Sequence, residues 1–163
     1  MMLEREAQEQ CKIFGMNSGK VFDDRELAPR PILRIVGLNI HHGMQVDAIQ
    51  ATYQLVDGSI WTAPKHGGDG GSLSQFVFDP AETMVAIVLT CGCYIDSLEI
   101  VTQLNGAFRR YGPCGGGRTA AGSIIGAIVS LHGRSGKRLD ALGVWGYSPL
   151  VTSRPTQDVP IIM

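Results

Sequence analysis

Apolar and polar residues alternate along most of the chain between Pro31 and Leu150. The segment Ile49–Leu55 reads Ile-Gln-Ala-Thr-Tyr-Gln-Leu, and Leu98–Thr102 follows the same period of two. Successive side chains of a strand point to opposite faces, so this period predicts strands with one buried face. Turn dipeptides such as Asp57-Gly58 and Asn105-Gly106 separate the segments. About ten to twelve short strands at this spacing predict an all-β fold, either closed or sandwich-like.

Two apolar stretches, Val85–Leu89 and Ile124–Val129, lack this alternation. They are short and rich in β-branched residues, which favours strands that are buried on both faces. Only residues 3–14 have a helix-favouring composition, and we predict a short helix or a frayed segment there. From Tyr147 onward the chain has three prolines and little periodicity, which predicts a loosely docked tail. We therefore expect an extension at 1–16, one domain at 17–150 and a tail at 151–163.

Composition narrows the classes of function. Glycine provides 21 of 163 residues and charged residues only 18%, a balance typical of turn-rich β-proteins. The 14 basic and 15 acidic residues give a net charge of -1 and are spread along the chain, so nucleic acid is not an expected partner. The cysteines Cys11, Cys91, Cys93 and Cys114 are expected to stay reduced, because Cys91 and Cys93 are too close to bridge easily and the cytosol is reducing.

The amino terminus carries an expectation about location. Acidic residues stand where a secretory signal would have a cationic patch, and no long apolar run follows them. We therefore expect a cytoplasmic protein with no membrane insertion, with release by a non-classical route as the alternative.

A repeat runs through the glycine-rich turns. Three segments share the pattern Gly-x-x-x-Asp followed by an apolar run: Gly43–Asp47, Gly92–Asp96 and Gly136–Asp140. Their aspartates are 49 residues apart (96 minus 47) and then 44 residues apart (140 minus 96). A second set of small-residue loops recurs in step with them: Asn17–Lys20, His66–Gly71 and Cys114–Gly117. Two interleaved sets at intervals of about fifty residues predict three similar sheets around a pseudo-threefold axis.

The chemistry of such a unit suits neutral polyols. An ionised aspartate at the end of a loop accepts hydrogen bonds from two adjacent sugar hydroxyls, and its charge strengthens them. The residues just before it offer main-chain N–H groups to the ring oxygen and to a neighbouring hydroxyl. A facing glycine loop has no Cβ atoms, so a flat polar ring can approach the main chain closely. A site of this kind needs no nucleophile, metal or cofactor.

The stretch Gly133–Val144 resembles the closing signature of jacalin-related lectins, whose usual form is Gly-Arg-Ser-Gly-x-aromatic-Leu-Asp-Ala-Ile-Gly. Further matches in family order are Gly19–Asp24, the loop His66–Gly71, and Tyr111–Pro113, so the resemblance covers roughly residues 17–146. It implies the β-prism I fold, with three four-stranded antiparallel Greek-key sheets in pseudo-threefold symmetry. It also implies a non-enzymatic lectin without cofactor or metal, with sugar sites at one end of the prism.

The same resemblance assigns three candidate sugar sites, which we rank in this order. The first site pairs one glycine with the last Gly-x-x-x-Asp turn: Gly19, Gly136, Lys137, Arg138 and Asp140. Lys137 and Arg138 would act there mainly through main-chain N–H groups. The second site pairs Asp47 with Gly70 and Gly71. The third, rarer in the family, pairs Asp96 with the loop 115–117, centred on Gly116.

Sugar preference follows from one further family feature. Galactose-type members are cleaved so that the equivalent of Gly19 becomes an amino terminus, whereas uncut members prefer mannose or glucose. Gly19 is internal here, so we expect mannose- or glucose-type glycans, with a galactose-type lectin as the alternative. The expected partners are mono- and oligosaccharides and glycoproteins. A single weak site gains avidity from several copies, so we also expect a homo-oligomer.

Other functions fit the residues less well. The stretch Gly133–Lys137 has too few residues between its glycines for a phosphate-binding loop, and His41 and His42 match no zinc spacing. A glycosidase pair is disfavoured, because each aspartate serves a separate loop. The serious alternative is a protein of the same fold with decayed sugar sites that binds another protein or itself. Arg138, which replaces the usual aromatic residue, keeps that alternative open.

Overall fold

The chain folds almost entirely into β-strands, as the alternating pattern predicted. The computed structural model describes residues 8–11, 13–117 and 120–153. Its strands in chain order are β1 (Gln8–Gln10), β2 (Phe14–Gly15), β3 (Lys20–Asp23), β4 (Ile32–His42), β5 (Val46–Leu55), β6 (Ile60–Thr62), β7 (His66–Gly67), β8 (Ser72–Val77), β9 (Thr83–Cys91), β10 (Ile95–Leu104), β11 (Ala107–Gly115), β12 (Ala120–Ser135) and β13 (Leu139–Ser153). The helix α1 (Asp24–Leu27) is a single turn. No helix among the described residues is long and apolar enough to cross a membrane.

Hydrogen bonding joins these strands into two antiparallel sheets. The larger has the order β1-β13-β12-β9-β10-β11, with β2 paired to β13 and β3 paired to β12. The smaller has the order β6-β5-β4-β8, with β7 paired to β5. We expected three four-stranded sheets, and the strand pairing differs because β12 and β13 are 16 and 15 residues long. The hydrogen-bonded ladder between β12 and β13 continues through register shifts at Ile125/Ala127 and Ile128/Ser130. Because β12 also pairs with β3 and with β9, all four strands belong to one sheet.

The core lies between the inward faces of the two sheets. On β5 the buried residues alternate with half-buried ones through Ala51, Tyr53 and Leu55, as the period of two predicted. Ile87 and Ile100 of the larger sheet are fully buried as well. Burying a large apolar side chain stabilises the fold by roughly 1.5–3 kcal/mol, so this layer provides the main driving force for folding.

The prediction of strands buried on both faces was wrong. Val88 on β9 is 37% exposed and Ile125 on β12 is 51% exposed. Their neighbours Ile87 and Ile124 are fully buried. An antiparallel sheet with its core on one side leaves the other face open, and an unbroken apolar run does not reveal this by itself.

The described residues near each chain end lie in strands, which composition did not predict. Gln8–Gln10 form β1 beside β13, with Glu9 opposite Gly146, so the predicted helix is wrong for these residues. Backbone pairing with a sheet edge outweighs a weak helical propensity. The predicted tail is also wrong as far as Ser153, because β13 pairs Val151 with Ile125 and Ser153 with Ser123. The predictions for 1–7, Lys12 and 154–163 lie outside the described residues.

Candidate functional site: three turns facing three loops

The three Gly-x-x-x-Asp segments form the same turn between antiparallel strands. They join β4 to β5, β9 to β10 and β12 to β13. In each turn the glycine N–H donates to the carbonyl two residues ahead at 3.0 Å, and the pairs are Gly43 with Gln45, Gly92 with Tyr94 and Gly136 with Arg138. The apolar residue before each aspartate is fully buried, which fixes the start of the following strand: Val46, Ile95 and Leu139.

Each turn meets the small-residue loop that the sequence paired with it. A main-chain N–H in the loop, or directly before it, donates to the carbonyl oxygen of the aspartate in all three cases. The bonds are Met16 to Asp140 at 3.2 Å, Gly68 to Asp47 at 3.0 Å and Gly116 to Asp96 at 3.1 Å. The repeat read from the sequence is therefore a repeat of main-chain contacts.

The first site is built around the carboxylate of Asp140, a residue that is only 5% exposed. The Ser18 hydroxyl donates to Asp140 Oδ1 at 3.1 Å. A Cβ atom at Gly19 would lie 2.5 Å from Asp140 Oδ2, so no side chain fits at that position. The carboxylate therefore faces bare main chain on that side.

Arg134 of β12 holds the first loop in place. Its Nε donates to the Ser18 carbonyl at 3.1 Å, and its Nη2 donates to the Gly19 carbonyl at 3.2 Å. A guanidinium offers its donors in a planar fork. Arg134 thus fixes two successive peptide groups of the loop that faces Asp140.

The second site has the same plan with a different neighbour. A Cβ at Gly71 would lie 2.5 Å from Asp47 Oδ2, and one at Gly70 would lie 3.1 Å from Asp47 Oδ1. The cation of Arg138 also reaches this carboxylate, with its Nε 3.8 Å from Asp47 Oδ1. The guanidinium carbon stands 5.1 Å from the centre of the Tyr94 ring. The side chain of Arg138 therefore leaves its own turn for the neighbouring site.

The third site is packed against the turn of the second. The Gly116 N–H is shared between the carbonyls of Asp96 and Met44, at 3.1 Å each. Gln45 Nε2 donates to Asp96 Oδ1 at 3.4 Å, and Asp96 is 5% exposed. The carboxylate of the third site is thus already engaged by a side-chain amide.

A buried polar network holds one end of the loop of the second site, His66–Gly71. Asp24 is fully buried; it accepts a hydrogen bond from the Tyr53 hydroxyl at 2.5 Å and lies 2.7 Å from His66 Nε2. Burial raises the pKa of the Tyr53 hydroxyl well above its usual value, and the adjacent Asp24 raises it further. The Phe22 ring stacks on His66 with centroids 3.7 Å apart. The first residue of the loop His66–Gly71 is therefore tied to the core.

The chain matches the sequence profile of the Jacalin-like lectin domain over residues 11–145. It belongs to the jacalin-like lectin family. Proteins of this family bind carbohydrates and are not enzymes. The matched range includes the three turns and the three loops described above.

Individual relatives agree with this membership. Horcolin from Hordeum vulgare is 32% identical over 140 residues, which cover 81% of this chain and 92% of Horcolin. The Agglutinin of Castanea crenata is 32% identical over 146 residues and matches 80% of this chain, but the chain spans only 44% of that protein's length. A mannose-binding jacalin-related lectin from Ananas comosus has a similar structure, with a TM-score of 0.74 and 28% identity over 85% of this chain and 96% of the other.

The structure brings the predicted site residues of this jacalin-like lectin together in the expected three groups. The exception is the side chain of Arg138, which contacts the second site while its main chain stays in the first. Sequence reasoning missed the supporting contacts of Ser18, Arg134, Gln45 and Tyr94. Arg134 lies within the matched stretch Gly133–Val144 and Ser18 within the loop Asn17–Lys20, but the residues that they contact are more than 100 residues away in the chain, so spacing gives no signal for the contact.

Histidines near the sites have structural partners. His42 Nδ1 accepts from the Gly115 N–H at 3.0 Å, and its Nε2 lies 2.7 Å from the Ser74 hydroxyl. His66 faces Asp24 in the buried network. Over the described ranges, no group of three or more His, Cys, Asp and Glu side chains has the geometry to hold a metal ion. These imidazoles orient loops of the lectin rather than gather around one point.

Proposed function

We propose that this chain is a lectin for mannose- and glucose-type glycans, with Asp140 as its principal sugar-binding carboxylate. The observation that carries the proposal is the apposition of Asp140 to the bare main chain of Gly19. Two carboxylate oxygens accept from vicinal hydroxyls, and the turn offers main-chain N–H groups of Lys137 and Arg138 as donors. The related lectin from Ananas comosus is mannose-binding, which supports this choice of sugar.

The second and third sites contribute less in this proposal. The family resemblance puts the site of Asp140 first and the site of Asp47 second. The third site comes last, because the Gln45 amide already donates to its Asp96 carboxylate. We therefore rank the sites first, second and third. A single site of this kind binds with a Kd near millimolar, about 4 kcal/mol.

We propose further that the lectin acts as a homo-oligomer on multivalent glycans. The larger sheet has an apolar outer groove of about 420 Å³, lined in part by Val88, Phe108 and Ile125. Val88, Phe108 and Ile125 are exposed there, and an exposed apolar patch favours association through the face that carries it. Sedimentation of the chain at increasing concentration tests this proposal, and a monomer throughout would contradict it.

We infer a three-sided prism from the long ladder of β12 and β13. Its register shifts at Ile125/Ala127 and Ile128/Ser130, and such irregularities bend strands, so the larger sheet would wrap two faces of a prism whose third face is the smaller sheet.

Each aspartate of the three sites faces its own loop. A glycosidase requires two carboxylates on either side of one bond, so we propose binding without hydrolysis.

A glycan array on the wild-type chain and on Asp140→Asn tests the principal proposal. The substitution is nearly isosteric and removes the charge, so we expect specific mannose-type binding to fall by at least tenfold, about 1.4 kcal/mol. Asp57→Asn makes the same charge change in the β5–β6 turn and serves as the control. Unchanged binding by Asp140→Asn would move the main site to Asp47 or Asp96.

Two other outcomes separate the alternatives. Binding confined to galactose glycans would identify a galactose-type lectin. A wild-type chain that binds no mannose, glucose or galactose glycan, and that gains no thermal protection from free monosaccharides, would favour the protein-interaction alternative.

A further inference from the structure

Arg138 lies in the turn of the first site, Gly136–Asp140, yet its side chain lies at the second site. The guanidinium Nε is 3.8 Å from Asp47 Oδ1. This distance exceeds a hydrogen bond, so the attraction is mainly Coulombic. In the first site, the Arg138 carbonyl closes the turn by accepting from the Gly136 N–H. One residue thus presents main chain to one site and a cation to another.

The packing of neighbouring loops sets the position of this side chain. A Cβ at Gly68 would overlap the Lys137 carbonyl oxygen, so the loop of the second site directly contacts the turn of the first site. The Tyr94 ring of the third turn lies under the guanidinium at 5.1 Å, within the range of a cation–π contact. Arg138 is held from two sides while its side chain stays 44% exposed.

We propose that Arg138 is a specificity-determining residue of the second site, and that its side chain does not serve the first. This assignment rests on the proposed lectin function. Every sugar hydroxyl is both a donor and an acceptor, whereas Asp47 only accepts and a guanidinium only donates. A hexose that donates to Asp47 meets in Arg138 a donor for its neighbouring oxygen. The ligand class is a neutral pyranoside with adjacent hydroxyl oxygens.

Single-site variants isolate the contribution of Arg138. The Asp140→Asn background keeps the second site, the Asp47→Asn background keeps the first, and the double variant gives the baseline. Arg138→Gln is then added to each single background. Affinity for methyl α-mannopyranoside is measured by NMR titration, and thermal unfolding checks that each variant is folded. Arg30→Gln removes one exposed cation away from the three sites and serves as the control.

We expect Arg138→Gln to weaken binding about fivefold in the Asp140→Asn background, which is about 1 kcal/mol. Binding in the Asp47→Asn background should change less than twofold. Weakening confined to the Asp47→Asn background would overturn the assignment, because the guanidinium would then serve the first site. Stronger binding in the Asp140→Asn background would also overturn it, because Arg138 would then shield Asp47 from sugar.

Failure of the lectin proposal looks different from failure of this assignment. A wild-type chain that does not bind the mannoside overturns both. A wild-type chain that binds, together with a silent Asp140→Asn background or one that Arg138→Gln leaves unchanged, overturns the assignment alone.

Discussion

The first and second sites share a backbone plan and differ in what surrounds the carboxylate. Asp140 is held by a neutral hydroxyl from Ser18, whereas Asp47 lies beside the Arg138 cation. Arg134 holds the loop of the first site by donating to its main chain, whereas the loop of the second site is held through the contact of His66 with the buried Asp24. A repeated turn thus guarantees the same main-chain geometry but leaves the strength of each site to its side-chain neighbours.

The glycines that face the carboxylates should give the largest effects. Gly19 and Gly71 both have φ of +78°, and a Cβ on either would lie 2.5 Å from a carboxylate oxygen. We expect Gly19→Ala to weaken the first site at least a hundredfold, about 2.7 kcal/mol, and Gly71→Ala to do the same to the second. NMR titration in the Asp47→Asn and Asp140→Asn backgrounds measures the two sites separately.

A matched control separates steric conflict from backbone strain. Gly58 has φ of +87°, and nothing lies within 4 Å of the position that its Cβ would take, so Gly58→Ala has the backbone cost alone. It should lower stability and leave sugar affinity unchanged. Equal losses of affinity in Gly58→Ala and Gly19→Ala would show that the carboxylate contact is irrelevant.

Removal of the Tyr53 hydroxyl should give the next largest effect, and its effect on sugar affinity should be greatest at the second site. Tyr53→Phe leaves Asp24 and the Leu131 N–H without this partner in a buried position. We expect the free energy of unfolding to fall by about 2 kcal/mol in urea denaturation. Second-site affinity should fall more than first-site affinity, because His66 depends on Asp24.

Tyr147→Phe removes the hydroxyl of a half-buried tyrosine and is the control, with an expected change within about 0.5 kcal/mol. If Tyr53→Phe unfolds at the same urea concentration as the wild type, the buried network does not support the second loop.

Arg134→Met should give a smaller effect, confined to the first site. The substitution removes both hydrogen bonds to the first loop and keeps most of the apolar stem. We expect first-site affinity to fall about fivefold, about 1 kcal/mol, and second-site affinity to remain unchanged. Arg110→Met on β11 is the control by the same titration. A loss at the second site instead would mean that Arg134 acts on the whole end of the molecule.

The smallest effect is a dependence of stability on pH through His132, which lies on β12 opposite Asp23. Burial lowers the pKa of the His132 imidazole, with nearby Asp23 acting against the shift. The unfolded chain therefore binds this proton first, and stability falls as the pH drops below about 6.5 towards the folded-state pKa. Urea denaturation between pH 7.5 and 5.5 measures the slope. His132→Gln should flatten it, and an unchanged slope would assign the dependence to other groups.

Much of this fold was accessible from the sequence through two regularities. The period of two in segments such as Ile49–Leu55 predicted strands, because a half-buried strand requires that alternation. The interleaved glycine loops predicted which loop meets which aspartate, and the main-chain bonds from Met16 to Asp140 and from Gly68 to Asp47 follow that pairing. The exposed faces of Val88 and Ile125 were not predictable, since an apolar run reads the same whether one or both faces are covered.

The sequence by itself determined the all-β class, the family and the three turns with their facing loops, because these depend on local spacing and on glycine where a side chain cannot fit. Only the tertiary structure decided that β12 and β13 carry one continuous ladder and that Arg138 crosses to Asp47 and Tyr94. The physical reason is that a long side chain or a long strand selects its partner from whatever packing brings near, and no spacing along the chain encodes that neighbour.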